Sequence, residues 1–258
     1  MAQNEDKKID EMRREGRNST PDWSHREFEP REWMDGPCTY AEYAQGALGL
    51  EQVNRLTLGY RPARQFLERV VEQAGKAPLH VVDIGCGHGD GLRAIYRWAA
   101  RKNIPLRLTG VDINPYAARL ARECDRRAGI PAGSIAWLTA DAFAAKFDAP
   151  VDVTMCSLFT HHLSDAAIVE LLRWSEATAR AGWLVNDLRR SKRAAMGFKW
   201  LTHIIGSCAM VKHDGMISFR RALTMEEWRE RGAQAGVAAR VVDVGLGRLC
   251  VERIKING

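Results

Sequence analysis

The stretch Val81-Val-Asp-Ile-Gly-Cys-Gly-His-Gly-Asp-Gly91 limits what this chain can fold into more than any other. A short β-branched run, Leu79 to Ile84, meets glycines at 85, 87 and 89. Leu92, Ile95, Tyr96 and Ala99 then recur at helical spacing, with Asp90 placed as an acidic N-cap. Glycine between a buried strand and a helix lets backbone approach a ligand and aims amide groups at it. The spacing also excludes two ligand classes. A dinucleotide fingerprint needs glycine at its first, third and sixth positions, and the sixth position counted from Gly85 is Asp90. A phosphate-cradling P-loop ends in Gly-Lys-Ser/Thr, and no such ending follows Gly89.

Strand and helix signals alternate onward from this loop. Leu106 to Ile113 reads as a second strand, and Asn114-Pro115 opens a helix with a cap and a proline at its first position. Ser134 to Leu138 and Val151 to Ser157 supply a third and a fourth strand. Ser164 caps a helix that Gly182 ends, before a fifth strand from Trp183 to Asn186. Such alternation implies βαβ units and a mostly parallel sheet with helices on both faces. After Arg189 the pattern breaks. Ser191 to Val211 reads as one inserted amphipathic helix, and Asp214-Gly215 carries a turn signal. Thr224-Met-Glu-Glu227 fits a capping box. Val237 to Val244 and Leu249 to Ile254 flank Gly245-Leu-Gly247 as an antiparallel hairpin, giving seven strands. The expected organisation is a disordered or loosely attached tail (1–25), an N-terminal helical cap (26–75) and an α/β domain (76–258) with a lid insertion at 189–222.

The bulk properties suit that plan. A length of 258 residues fits one large α/β domain with appendages. No apolar run reaches the length of a membrane-spanning helix. Met1 to Arg17 lacks the apolar stretch of a secretory signal. Six cysteines lie scattered with no Cys-x-x-Cys pair, which argues against a disulfide framework or a zinc site. A cytoplasmic location and no metal are therefore expected. The net charge of +6 is concentrated: residues 186–222 hold eight basic and two acidic side chains, so the rest of the chain is neutral.

Asp83-x-Gly85-x-Gly87-x-Gly89 at the end of a first strand resembles the cofactor loop of class I S-adenosylmethionine-dependent methyltransferases. The resemblance extends from Val81 to Asp187, about half the chain. It implies a Rossmann-like fold, an enzyme, and S-adenosylmethionine as cofactor. By the same resemblance Asp83, Gly85, Cys86 and Gly87 form the cofactor loop. Asp112, followed by Ile113, would bind both ribose hydroxyls, since a carboxylate accepts two hydrogen bonds at once. Asp141, beside Ala142, would accept from the adenine amino group, and Cys156 would face the reacting methyl.

The fourth strand and the residues after it bear on the acceptor. Thr154 to Thr160 lacks the Pro-Pro motif of base N-methyltransferases and the Pro-Cys of cytosine C5 enzymes. His161-His-Leu-Ser-Asp165 resembles the segment of plant-type O-methyltransferases whose leading histidine deprotonates the acceptor hydroxyl, a position that falls on His161. A neutral imidazole suits that proton transfer. His213 is a second candidate base, and Asp187 a candidate acceptor of a substrate hydrogen bond. Met196, Phe198, Trp200 and Ile204 favour a small, partly apolar acceptor such as a phenolic, polyketide or quinone-like molecule. The basic lid, headed by Arg189 and Arg190, suits an amphipathic or anionic acceptor, or contact with a membrane surface. C-methylation of a quinone or polyketide ring, and methylation of RNA, use the same cofactor loop. Nucleic acid is nonetheless not the expected partner.

Overall fold

A computed structural model describes residues 22–29, 31–75 and 78–255. Seven strands form one sheet in the order β3-β2-β1-β4-β5-β7-β6. They are β1 (Leu79–Ile84), β2 (Leu106–Asp112), β3 (Ile135–Thr139), β4 (Val153–Ser157), β5 (Gly182–Leu188), β6 (Arg240–Gly245) and β7 (Arg248–Ile254). The first five run parallel, and β7 lies antiparallel between β5 and β6. Burial follows the period of two that a strand imposes. Val81 and Met155 face one core with Phe66, Leu67 and Leu92, whereas Val82, Ile84 and Cys156 face the other with Ile168 and Leu172. Both faces of the central strands are covered, which explains their continuous apolar runs.

The helices are α1 (Tyr40–Leu56), α2 (Arg61–Ala74), α3 (Asp90–Lys102), α4 (Pro115–Arg127), α5 (Asp165–Thr178), α6 (Lys192–Ile204), α7 (Ala209–Arg221) and α8 (Met225–Ala235). Asn114, Ser164 and Thr224 cap α4, α5 and α8, and Thr224 with Glu227 completes the expected capping box. At α3 the cap differs from expectation. Gly89 holds it with φ 77°, and Asp90 is the first helical residue. The Asp90 carboxylate instead accepts from the Tyr60 hydroxyl (2.7 Å) and the Asn54 amide (3.1 Å), tying α1 and α2 to the loop.

The insertion after β5 also departs from the sequence pattern. One helix was expected over 191–211; the chain makes two, α6 and α7, with Gly206 at φ 67° between them. His213-Asp214-Gly215 lies inside α7 and is not a turn. A Cβ at Gly215 would stand 2.2 Å from the Phe198 ring, so glycine serves the close approach of α7 to α6. Most of the expected loose tail lies outside the described residues. Its last part is held, since the carbonyls of Trp23 and Ser24 accept from Arg190.

Candidate active site

In open α/β sheets ligands bind outside the carboxyl ends of the strands, where strand order reverses. Here that point lies between β1 and β4, and a cavity of about 1170 Å³ opens there. Gly85, Gly87 and Gly89 all take left-handed backbone conformations, which the alternating glycines permit. At Gly87 a Cβ would meet nothing within 4 Å, so the backbone presents a bare surface. Asp112 braces the loop: its carboxylate accepts from the Gly87 and Asn114 amides, each at 2.8 Å. Burial pushes the Asp112 carboxyl up, against the pull of those two amides. Cys86, Ile113, Asp141 and Ala142 line the same wall, and Ile113 is 70% exposed beside Asp112. The Asp141 carboxylate caps its own turn through the amides of Phe143 and Ala144.

Beneath the loop a smaller space is lined by Asp83, Tyr60, Asp90 and Arg248. Asp83 Oδ1 is buried without a hydrogen-bond partner. Burial, with Asp90 and Asp112 nearby, pushes its carboxyl well above the usual range. Arg248 is buried and donates to Asn54 Oδ1 at 2.9 Å, and no carboxylate of the described residues lies within 4.0 Å of it. Burial holds its pKa below the usual value. A buried carboxyl and guanidinium left without charged partners are costly, and a ligand with an ammonium group, which would favour ionised Asp83, and a carboxylate group suits them. Arg248 carries no sequence motif and was not foreseen. Cys156, by contrast, does not reach the cavity. It is 3% exposed and points into the core against Ile168, because strand alternation turns it away and brings Ser157 to the wall.

Asp187 and His161 form a dyad, of which His161 lines the cavity and Asp187 is buried behind it. Asp187 Oδ1 lies 2.7 Å from His161 Nδ1 and accepts from its own neighbour, the Leu188 amide. Its Oδ2 accepts from the His161 amide (3.0 Å) and the Thr160 hydroxyl. Burial alone would raise this carboxyl, but the interaction with the His161 ring and these bonds hold it well below the usual range. An ionised carboxylate only accepts, so Nδ1 carries the proton and Nε2 is left as the basic nitrogen. His161 lines the cavity, and its Nε2 stands 3.9 Å from Glu32 Oε1. The sequence pattern marks Asp187 and His161 separately; the fold joins them.

Glu32 was not foreseen. It comes from the N-terminal segment and is 5% exposed at the cavity wall. Helix α7 holds it there. Asp214 accepts from the amides of Trp33 (2.8 Å) and Met34 (3.1 Å), while Ser218 and Arg221 donate to Glu32 Oε1 at 2.9 and 3.4 Å. His213 is not at the cavity. It stacks on Trp33 at 4.2 Å and bonds Asp214, so it anchors the segment. His162 bonds Asp35 (3.1 Å) and stands 3.9 Å from Glu32 Oε2. Glu32, His161 and His162 offer ligand atoms within 4.8 Å of one another. The Arg221 guanidinium already places positive charge on that carboxylate, however, which disfavours a cation there.

Burial and the charges of Asp35 and Asp214 push the Glu32 carboxyl up to about 7 from 4.5, against His162 and Arg221. The folded protein thus keeps a proton that the unfolded chain loses, and stability falls as pH rises from about 4.5 to about 7. Asp35 and Asp187 are depressed, so their share is present at higher pH and lost only in acid. Glu32→Gln is expected to flatten the decline of Tm across that window, measured by thermal melts; an unaltered slope would assign the titration elsewhere.

Residues 81–182 match a family model described as a methyltransferase domain. No curated protein sequence matches the chain. Among solved structures it is similar to the plantazolicin methyltransferase BpumL, crystallised with a pentazolic desmethylPZN analog and SAH. That likeness has a TM-score of 0.60 at 14% identity, over 84% of this chain and 98% of that one. It is also similar to magnesium protoporphyrin IX methyltransferase from Synechocystis PCC 6803 with bound SAH. There the TM-score is 0.52 at 13% identity, over 86% of this chain and 89% of that one. A SAM-dependent methyltransferase from Aquifex aeolicus gives a TM-score of 0.54 at 18% identity, over 84% and 98% of the two chains. At these identities the shared property is the fold.

Proposed function

We propose that this chain, whose residues 81–182 match a methyltransferase domain, is a class I S-adenosylmethionine-dependent methyltransferase that transfers a methyl group to a hydroxyl oxygen of a small, partly apolar molecule. The single observation that carries the acceptor reading is the His161–Asp187 dyad, with His161 at the wall of the cavity that the glycine loop also lines. S-adenosylmethionine supplies an electrophilic methyl group on a sulfonium sulfur. Asp83, ionised by a facing ammonium group, and Arg248 would hold its amino and carboxylate groups, and Asp112 would hold its ribose. His161 Nε2 takes the acceptor's hydroxyl proton, and Asp187 fixes the imidazole tautomer and stabilises the imidazolium that results. Phe198, Leu201 and Phe219 from α6 and α7 line the acceptor side, so the insertion acts as a lid that excludes water.

Half of the basic segment's charge is already engaged within the chain, which reduces what it can offer to RNA. Arg189, Arg190, Arg220 and Arg221 are each engaged by a carboxylate of this chain. A panel of phenols and hydroxyquinones with labelled methyl donor tests the reading directly. The expected product is a methoxy group, recognised by its methyl resonance; a ring C-methyl or labelled RNA would replace the proposal. Asp112→Ala is expected to weaken cofactor binding by about 1.5–3 kcal/mol, the scale for hydrogen bonds to a charged group. Calorimetry showing unchanged affinity would move the ribose contact elsewhere.

A further inference from the structure

Helix α6 presents two different faces. Ala194, Gly197, Phe198 and Leu201 recur at i, i+3, i+4 and i+7 and line the cavity. Met196, Trp200 and Ile204 recur at i, i+4 and i+8 and point away from the protein, at 41%, 64% and 77% exposure. At 3.6 residues per turn, Trp200 and Ile204 lie within about 60° of Gly197 around the axis. The outward apolar stripe therefore borders the cavity-lining face. Leu246, 66% exposed at the tip of the β6–β7 hairpin, also lines the cavity, so a second exposed apolar side chain stands at its edge.

The charge around the stripe is of one sign. No Asp or Glu occurs from Leu188 to His213. Lys192, Arg193 and Lys199 are exposed, and none makes an ion pair with the described residues. Arg189, Arg190, Arg220 and Arg221 differ, for they are paired within the chain, and Lys212 is half-buried on α7. Three unpaired cations flanking exposed Trp, Ile and Met side chains are the composition of a helix that lies in a bilayer interface. No helix of the described residues is long and apolar enough to cross a membrane.

We propose that the outer face of α6, with Leu246, docks this protein on an anionic lipid bilayer. Trp200, Ile204 and Met196 enter the interface, and Lys192, Arg193 and Lys199 meet the lipid headgroups. Docked this way, the cavity edge formed by Gly197, Leu201 and Leu246 faces the lipid. An amphipathic acceptor then passes from the bilayer into the cavity without crossing water. That last step rests on the function proposed above; the docking does not.

The experiment is co-sedimentation of the full chain with vesicles, which needs no turnover. Binding to vesicles of phosphatidylcholine with phosphatidylglycerol is expected to exceed binding to phosphatidylcholine alone on the order of a hundredfold, from three basic side chains near the surface. It should fall steeply with salt. Lys192→Glu with Lys199→Glu should abolish the preference. Trp200→Ser with Ile204→Ser should lower binding about tenfold or more. All four positions are exposed, so thermal midpoints and cofactor affinity should hold in both double variants. Equal sedimentation of wild type and variants, or none with either vesicle, overturns the docking. So does a lipid-free dimer in sedimentation velocity that the Trp200 and Ile204 changes dissociate, since the face would then be a self-interface. Vesicle binding without O-methylation would refute the proposed function and leave the docking standing.

Discussion

Replacing Asp187 with Asn is expected to lower kcat for O-methyl transfer by about 10²–10⁴-fold, the range for losing general-base catalysis. The amide keeps the size of the carboxylate but cannot accept four hydrogen bonds or stabilise an imidazolium. His161 then loses the partner that fixes its proton on Nδ1. His161→Ala should fall in the same range, and the double variant should be little worse than either single one, because the two residues act as a unit. Cofactor affinity should change far less than kcat, since neither residue hydrogen-bonds the glycine loop or Asp112. Steady-state kinetics with calorimetry decides it. An unaltered kcat in both single variants would leave positioning alone to account for turnover and remove the dyad from the chemistry.

Arg190→Ala should act on stability instead of acceptor binding. The guanidinium is 2% exposed and donates to the carbonyls of Trp23, Ser24 and Ala222 and to Glu227 at 2.6 Å. Its loss leaves carbonyls unmet and a carboxylate without its partner, costing about 3–5 kcal/mol. For a chain of this size that is a fall in Tm of roughly 6–20 °C. Arg189 pairs with Asp243 on the surface, so Arg189→Ala should cost less than about 1 kcal/mol. Neither should raise KM for an anionic acceptor, which corrects the role the sequence pattern offered them. A stable Arg190→Ala protein with a selectively raised KM for anions would restore that role.

These cases mark where sequence patterns were readable. The strands, the loop glycines and the caps of α4, α5 and α8 were legible because strand period, backbone conformation and capping are local physics. Failures came where a partner distant in the chain decides. Asp214-Gly215 has turn chemistry, yet the Phe198 ring pressing on Gly215 keeps it helical. His213 has the side chain of a base, but Trp33 stacks over it. Cys156 sits at the right strand end, and a one-residue alternation sends it into the core. The basic insertion reads as a ligand-binding surface until four of its arginines meet acids elsewhere in the chain. Glu32 and Arg248 lie in stretches with no periodic signal. The packing of α7 against the N-terminal segment, and the pairing of β7 with β5, bring them to the cavity.

The placement of Glu32 has an evolutionary consequence. The stretch that marks the family, residues 81–182, contributes His161 but neither Asp187, Glu32 nor Arg221. The surroundings of the reactive proton are therefore assembled from outside the shared domain, by a leading segment that α7 fastens across the opening. On the function proposed above, drift in those flanks can change which acceptor is methylated, and at which atom, while the glycine loop stays intact. Two chains nearly alike over the shared domain can thus differ in product. Homologues would be sorted better by whether they keep the acid at 32 and the aspartate at 187 than by how closely their glycine loops agree.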